Sequence, residues 1–312
     1  MLLKKIEAIQ MEVRSKMKAN FMNYFKDGNC YQWDKDNNIF IITPTKLDPQ
    51  LEFCLDKQMM ETYLKFYNPQ LKLGKTLQVQ EGKVKVNLKV CDAVLTIPTL
   101  DDTTISTVNV EDLKIACKYV ADSTRQPQCQ GVFLGDNVVC ATDAFHAFQS
   151  TADSEANIII PTEYISLLTG IDGELELQSN KNNVRAVIGD STIIGRLIDG
   201  KYPTLEKIYS RIDSCKSIEF NVKEFLNYLS FSTDKSDSVI LSKNKFEIAG
   251  NIPFEAELKD FDIDCKFELH AGHFLQVLKD IKEEKAMFRY QGPTSPVFVN
   301  DKFLLLPIKK LV

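Results

Sequence analysis

The segments IPTLDD (97–102) and YPTLEK (202–207) share the core Pro-Thr-Leu in a chain of 312 residues that contains only 11 prolines. Pro98 and Pro203 are 105 residues apart, and Pro307, in the segment LLLPIKK, follows 104 residues after Pro203. Two intervals of nearly equal length indicate three copies of one module.

The length of the chain is compatible with this repeat, because about 100 residues suffice for a domain with its own core. The composition, 44% hydrophobic and 26% charged, is ordinary for a globular protein. We therefore predict three modules, at 1–105, 106–212 and 213–312.

Each predicted module opens with an amphipathic helix. Its apolar residues recur at the i, i+3, i+4, i+7 spacing that places them on one helix face. The three stripes are Leu2, Ile6, Ile9 and Val13 in the first module, Leu113, Ala116, Cys117 and Val120 in the second, and Val222, Phe225, Leu226 and Leu229 in the third.

A second helix and several strands follow in each module. The second helices are predicted in DKQMMETYLKF (56–66), PTEYISLLTGI (161–171) and AGHFLQVLKDI (271–281). Alternating runs broken by turn residues, such as GVFLGDNVVCAT (131–142) and PVFVNDKFLLLP (296–307), are typical of antiparallel strands. The fold class is therefore predicted as α+β, with two helices packed on antiparallel sheet in each module. Pro-Thr-Leu then marks the point where the chain leaves a module's last strand.

Bulk properties exclude several classes of protein. There is no apolar run of about 18 residues and no signal-peptide core, so we expect a cytoplasmic protein without membrane contact. The eight cysteines form no CxxC pair and are expected to act as small buried hydrophobic residues. A net charge of −5 argues against a protein that coats nucleic acid with its whole surface, although a local basic lining stays possible.

The motifs for catalysis are incomplete. LKLGKT (71–76) lacks the earlier glycine of a phosphate loop, because that position is Pro69. His270 and His273 could share a metal ion, but no acidic or thiol residue stands at a spacing typical of a metal ligand. Asp143 and His146 could form an acid–base pair, but no nucleophile accompanies them. We expect no catalytic site, no metal and no cofactor.

Lysines beside the first helix of every module suggest a different activity. Lys114 and Lys118 share a helix face, and Lys223, Lys4 and Lys5 hold comparable positions in the other modules. A single lysine-bearing helix face usually only contacts solvent. Its recurrence in three modules favours a surface that attracts the DNA phosphate backbone without sequence preference.

The second and third modules resemble the bacterial sliding clamp, the β subunit of DNA polymerase III. The residues that carry the resemblance are the Ala-Thr-Asp motif at Ala141–Asp143, the strand end at Asp199–Pro203 and the C-terminal segment Leu306–Lys309. The first module departs from the pattern, since SKMKANFMNYFKDGNC (15–30) replaces the usual Arg-Pro-x-Leu-Pro stretch. The chain is also short for the family, which suggests a divergent, phage-encoded member.

The resemblance implies a ring of two identical subunits in which each chain forms half and module one of each meets module three of the other. Such a ring is not an enzyme. It encircles duplex DNA without sequence preference, tethers the replicative polymerase and is loaded by a clamp loader. The alternatives are a clamp-like scaffold that binds only proteins and, less favoured, an enzyme with repeated modules. The expected DNA-facing residues are Lys4, Lys5, Lys114, Lys118, Arg125 and Lys223.

The resemblance also implies a groove that takes short peptides from polymerases and other clamp-binding proteins. It lies between the Ala-Thr-Asp turn, the YPTLEK segment and the C-terminal tail. Its expected residues are Cys129, Thr142, Ala144, Ala147, Pro203, Lys207, Ile208, Thr294, Pro296, Leu304, Leu306, Pro307 and Ile308. Ala147 stands where the family usually has a larger aliphatic residue, and Phe145 where it often has histidine, so we expect a reshaped pocket.

Overall fold

The computed structural model describes residues 21–92, 95–122, 126–168 and 170–308. The predicted helix at 2–13 therefore lies outside the described residues, as do Lys4, Lys5 and Arg125. The chain divides into two compact units. The first comprises 1–111, 134–137 and 152–199, and the second comprises 112–133, 138–151 and 200–312.

The described residues form short helices and many strands. The α-helices are α1 (Lys57–Tyr63), α2 (Val110–Ala116), α3 (Thr162–Ser166), α4 (Glu206–Tyr209), α5 (Val222–Leu229) and α6 (Ala271–Asp280), and 3₁₀-helices span Cys117–Tyr119, Pro127–Gln130 and Ile212–Ser214. The strands are β1 (Phe21–Lys26), β2 (Asn29–Asp34), β3 (Ile39–Pro44), β4 (Phe53–Leu55), β5 (Gln70–Leu73), β6 (Thr76–Glu81), β7 (Val84–Lys89), β8 (Thr104–Asn109), β9 (Gly131–Gly135), β10 (Val138–Thr142), β11 (His146–Thr151), β12 (Asp153–Ser154), β13 (Ile158–Pro161), β14 (Glu174–Ser179), β15 (Asn183–Ile188), β16 (Ser191–Arg196), β17 (Lys216–Asn221), β18 (Ser238–Ser242), β19 (Lys245–Ala249), β20 (Phe254–Glu257), β21 (Phe267–His270), β22 (Lys285–Tyr290), β23 (Val297–Val299) and β24 (Phe303–Leu305).

The first unit contains two sheets. One has nine strands in the order β12-β8-β14-β15-β16-β3-β2-β1-β4, and the other has three in the order β5-β6-β7. Asp56 caps α1 by accepting the backbone N–H of Met59 at 2.8 Å. This cap directs Met60 into a core with Phe25, Leu55 and Leu77.

The second unit carries a sheet in which β9, β10, β11, β24, β23, β22 and β17 follow one another, and a four-stranded sheet in the order β20-β19-β18-β21. Helices α5 and α6 meet through Phe225 and Phe274, whose rings contact edge to face at 6.1 Å. Phe225 also contacts Phe246 and Phe261 at 5.5 and 5.4 Å. An aromatic core of this kind fixes both helices through specific ring geometry as well as buried area.

The α+β prediction is confirmed, including its hairpins. Asp136 and Asn137 join β9 to β10 with φ angles of 51° and 59°, and Asn300 and Asp301 join β23 to β24 with φ angles of 49° and 57°. Two consecutive residues with positive φ match the twist of antiparallel strands, and Asn and Asp tolerate this conformation best after glycine.

The first helix of the second module is shorter than its predicted apolar stripe. The α-helix of the second module ends at Ala116 and continues as a 3₁₀ turn through Cys117, so Val120 lies beyond it. In the third module Val222, Phe225 and Leu229 are buried as predicted. The division into three modules stays a prediction. Within the described ranges no helix combines the length and the apolarity required to cross a membrane.

Candidate functional site

The turn between β10 and β11 is held by its own polar side chains. Thr142 Oγ1 donates to the carbonyl oxygen of His146 at 2.9 Å and accepts the N–H of Ala144 at 3.1 Å. Asp143 Oδ1 accepts the N–H groups of Phe145 and His146, both at 2.8 Å. Ala144 has a φ of 77°, a conformation that a residue with a Cβ rarely adopts. The closed turn presents Ala144 and Phe145 at the surface, the latter 57% exposed.

The second Pro-Thr-Leu segment is fastened to this turn by the tyrosine that precedes it. Tyr202 is buried, and its Oη accepts the backbone N–H of Thr142 at 3.0 Å. Its ring stacks on Phe133 at 5.2 Å. Burial raises the pKa of Tyr202 above its ordinary value, so the phenol stays neutral. Pro203 is thereby placed beside the turn, half-buried at the start of the segment that leads into α4.

The C-terminal tail approaches the same turn through β24. β24 pairs with β11, with Ala147 opposite Leu304. Beyond the strand, the N–H of Leu306 donates to the carbonyl oxygen of Phe145 at 2.9 Å, and the N–H of Ile308 donates to that of Glu268 at 2.7 Å. The structure therefore brings together the turn, the Pro-Thr-Leu segment and the tail.

The expected groove residues differ in exposure. Ala144, Lys207, Thr294 and Leu306 are exposed, Pro203, Ile208, Pro296 and Ile308 are half-buried, and Cys129, Thr142, Ala147, Leu304 and Pro307 are buried. Leu304 lies within a strand whose three residues are all buried, which favours a role in the core. Leu306, 37% exposed, is the first tail residue that offers an apolar surface. Peptide binding by this set stays a prediction.

The described lysines of the expected DNA-facing set have different surroundings. Lys118 forms an ion pair with Asp280. Lys114 is half-buried on α2, and Lys223 is exposed on α5. DNA contact by all three stays a prediction.

A cluster that the sequence did not reveal lies beneath the turn. The fold brings His273, at the start of α6, to Asp143 and His146, and the possible ligand atoms of the three residues lie within 4.8 Å of one another. His146 Nδ1 is 2.8 Å from Asp143 Oδ1, and His273 Nε2 is 3.7 Å from Asp143 Oδ2. Asp143 and His146 are three residues apart, but His273 is distant in sequence, so only the fold could show the cluster.

The ionisation of the cluster follows from its burial. Burial lowers the pKa of His273 to about 4, helped by the neighbouring His146 and opposed by Asp143. Burial alone would raise the pKa of Asp143, but contact with the His146 imidazole and the N–H donors of the turn outweigh it, so the pKa lies below its ordinary value. At neutral pH the cluster therefore holds a carboxylate beside a neutral His273.

The nearby thiol does not complete a catalytic set. Cys129 is buried, and burial together with the charge of Asp143 raises the pKa of its thiol. A thiol acts as a nucleophile only as the thiolate, which this environment disfavours.

Comparisons with known proteins agree with the geometry. No family model matches the chain. The chain is 25% identical over 161 residues to the beta sliding clamp of Escherichia coli (strain K12), a match that spans 46% of this chain and 44% of that relative. The matched part is thus less than half the length of this curated relative.

Solved structures extend the likeness to the whole chain. The DNA polymerase sliding clamp of Caulobacter crescentus superposes with a TM-score of 0.76 at 20% identity, covering 99% of this chain and 97% of that one. The Helicobacter pylori beta clamp bound to a DNA ligase peptide superposes with a TM-score of 0.76 at 17% identity, covering 98% of each chain. The resemblance to the bacterial sliding clamp is confirmed, and the fold is that of the clamps.

Proposed function

We propose that this chain is a DNA sliding clamp, a processivity factor that encircles duplex DNA and tethers a replicative polymerase. The observation that carries the proposal is the superposition with sliding clamps over 99% of the chain. The local match to the beta sliding clamp of Escherichia coli points to the same family. A clamp needs no reaction of its own, so we propose a non-catalytic protein that works in the cytoplasm with a clamp loader.

The decisive experiment tests topology. The protein is loaded onto nicked circular DNA, and the DNA is then cut once. A clamp stays on the circle and leaves the linear molecule by sliding off its ends, whereas a protein held by direct contacts stays on both. A protein that never associates with the circle, even with a loader present, but still binds polymerase peptides would be the alternative protein-binding scaffold.

We propose further that the groove beside Ala144, Pro203 and Leu306 binds a short peptide of the polymerase. An apolar cleft with a few polar groups at its rim suits one or two hydrophobic anchors of a peptide. The Helicobacter pylori clamp was solved with a DNA ligase peptide. The tail forms one side of the cleft through the bond from Leu306 to Phe145.

Removal of the chain from Leu306 onward tests the groove. We expect the truncated protein to lose affinity for a polymerase C-terminal peptide, because one side of the cleft is gone. It should keep its dimeric state, and its urea midpoint is the control for folding. Peptide affinity equal to that of the intact protein would refute the groove assignment.

For ring closure we propose that β7 of one chain pairs with β20 of the other. Both are the outermost strands of their sheets within the described residues, so each offers unpaired backbone groups to a further strand. Their exposed side chains carry opposite charge, Lys85 and Lys89 on β7 and Glu255 and Glu257 on β20. Opposite charges across paired strands stabilise the pairing.

Exposed apolar side chains accompany both edges. Val84 on β7 is 56% exposed. Phe231 is 50% exposed and stacks on Phe254 of β20 with ring centroids 4.4 Å apart and planes within 8°. Such residues at an open strand edge favour association through a shared apolar contact.

A charge exchange tests this closure. Lys85→Glu with Lys89→Glu should give a monomer by light scattering, and Glu255→Lys with Glu257→Lys should do the same. A mixture of the two variants should form a heterodimer, because each of its two contacts then joins strands of opposite charge. Two dimeric variants, or a mixture that stays monomeric while each variant is folded, would refute this pairing.

A further inference from the structure

We propose that Asp143, His146 and His273 form a binding site for a divalent transition metal ion, with Zn²⁺ as the ion that fits best. The inference does not depend on the proposed clamp function. Two imidazoles and one carboxylate are a ligand set that Zn²⁺ accepts, with water completing the coordination. Mg²⁺ prefers oxygen ligands and should bind poorly.

The positions of the ligand atoms support the site. Asp143 Oδ1 is occupied by the two N–H groups of the turn, while Oδ2 faces His273 Nε2 at 3.7 Å. The carboxylate is therefore oriented by the backbone on one side and offers its other oxygen to the cluster. In known metal sites, hydrogen bonds from neighbouring groups orient the carboxylate and imidazole ligands in the same way.

The buried histidine provides an independent observation. The side chain of His146 is 7% exposed, and its Nδ1 lies 2.8 Å from Asp143 Oδ1 but is not aligned for a hydrogen bond with it or with another described residue. Buried polar atoms nearly always have a well-aligned partner, and a buried ring nitrogen without one lowers the stability of the fold. A metal ion would supply that partner.

Two of the three proposed ligands are accessible to an entering ion. Asp143 and His273 are partly exposed, with 19% and 30% of their side-chain surfaces open. The His146 and His273 rings stack at 4.3 Å with planes within 8°. Imidazole lone pairs lie in the ring plane, so both rings must turn for their nitrogens to meet one ion. Metal binding should therefore separate the stacked His146 and His273 rings as their nitrogens coordinate the ion.

The test uses the full chain after treatment with a chelator. Calorimetry with Zn²⁺ should show one ion per chain, and Co²⁺ should give the visible absorption of a tetrahedral site without a thiolate band. Loss of a group that only hydrogen-bonds to a metal ligand typically weakens metal binding by roughly tenfold to hundredfold. His273→Gln removes a ligand itself and should weaken Zn²⁺ binding by more than that. Asp143→Asn, which keeps an oxygen for the turn, should weaken it as well.

His270→Gln is the matched control. His270 precedes α6 and contacts the His273 ring edge to face at 5.4 Å, but it lies outside the cluster. Its replacement should leave Zn²⁺ affinity unchanged. Nitrogen-15 spectra of the histidines should shift at His146 and His273 on addition of Zn²⁺. Absence of binding at a large excess of Zn²⁺, or equal affinity in the folded His273→Gln and His270→Gln variants, would overturn the site.

Discussion

Helices α2 and α5 begin alike and differ in what surrounds their lysines. Each follows an asparagine whose side-chain oxygen accepts a backbone N–H of the first turn. Asn109 Oδ1 accepts from Glu111 at 2.9 Å, and Asn221 Oδ1 accepts from Glu224 at 3.0 Å. Both helices then bury an apolar face.

The difference lies in the ionic contacts. Lys223 in the first turn of α5 is exposed, whereas Lys118, in the 3₁₀ turn after α2, is paired with the almost fully buried carboxylate of Asp280. A lysine already paired with a carboxylate attracts phosphate less than an unpaired one. The two helices show that lysines beside a repeated apolar pattern need not share one electrostatic role.

The largest effect is expected from the loss of Asp280. Its carboxylate accepts from Lys118 Nζ, from Tyr119 Oη at 3.1 Å and from Gln276 Nε2 at 2.8 Å, and its side chain is 2% exposed. Asp280→Ala should lower the free energy of unfolding by about 2–3 kcal/mol, because it leaves a buried tyrosine hydroxyl and a lysine without their acceptor. Urea denaturation measures the change.

Lys223→Ala on α5 is the matched control for that measurement. An exposed charge on a helix surface should change stability by no more than about 0.5 kcal/mol. A loss of similar size for Asp280→Ala and Lys223→Ala would mean that the buried carboxylate does not distinguish the two helices.

The sequence predicted what depends on local spacing. Apolar periodicity located α5 and its buried residues, and turn residues located the hairpins of β9–β10 and β23–β24. The repeated Pro-Thr-Leu located the segment that Tyr202 fastens to the turn at Thr142. Contacts between residues far apart in the chain could not be predicted from local spacing. Asp280 meets Lys118 across 162 residues, and His273 joins Asp143 only through the packing of α6 against the turn.

A smaller effect is expected at the helix starts. Asn221→Ala and Asn109→Ala should each lower the free energy of unfolding by about 1 kcal/mol, the usual loss for a side chain that caps a helix. Similar values from urea denaturation would support the equivalence of the two helix starts. Replacement by aspartate, which keeps the acceptor, should restore most of the loss. If Asn109→Ala left the free energy of unfolding unchanged while Asn221→Ala lowered it, only the α5 asparagine would act as a stabilising cap.

The smallest expected change separates the two lysines on DNA and rests on the proposed clamp function. Each phosphate contact contributes about one unit to the slope of log affinity against log salt concentration. Lys223→Ala should reduce that slope by about one unit, because an exposed lysine can release a counterion from the duplex. Lys118→Ala should change the slope much less, since Asp280 already neutralises the charge of Lys118.

Asp280→Asn tests this explanation, because it keeps an oxygen acceptor but removes the competing charge. The slope should become steeper when Lys118 is present and should not become steeper when Lys118→Ala is combined with Asp280→Asn. Fluorescence anisotropy on a short duplex over a range of salt concentrations gives the slopes of the unmodified protein and of the four variants. Equal slopes for the two lysine variants would show that the ion pair with Asp280 opens when DNA binds, so that the repeated pattern predicts the electrostatic role after all.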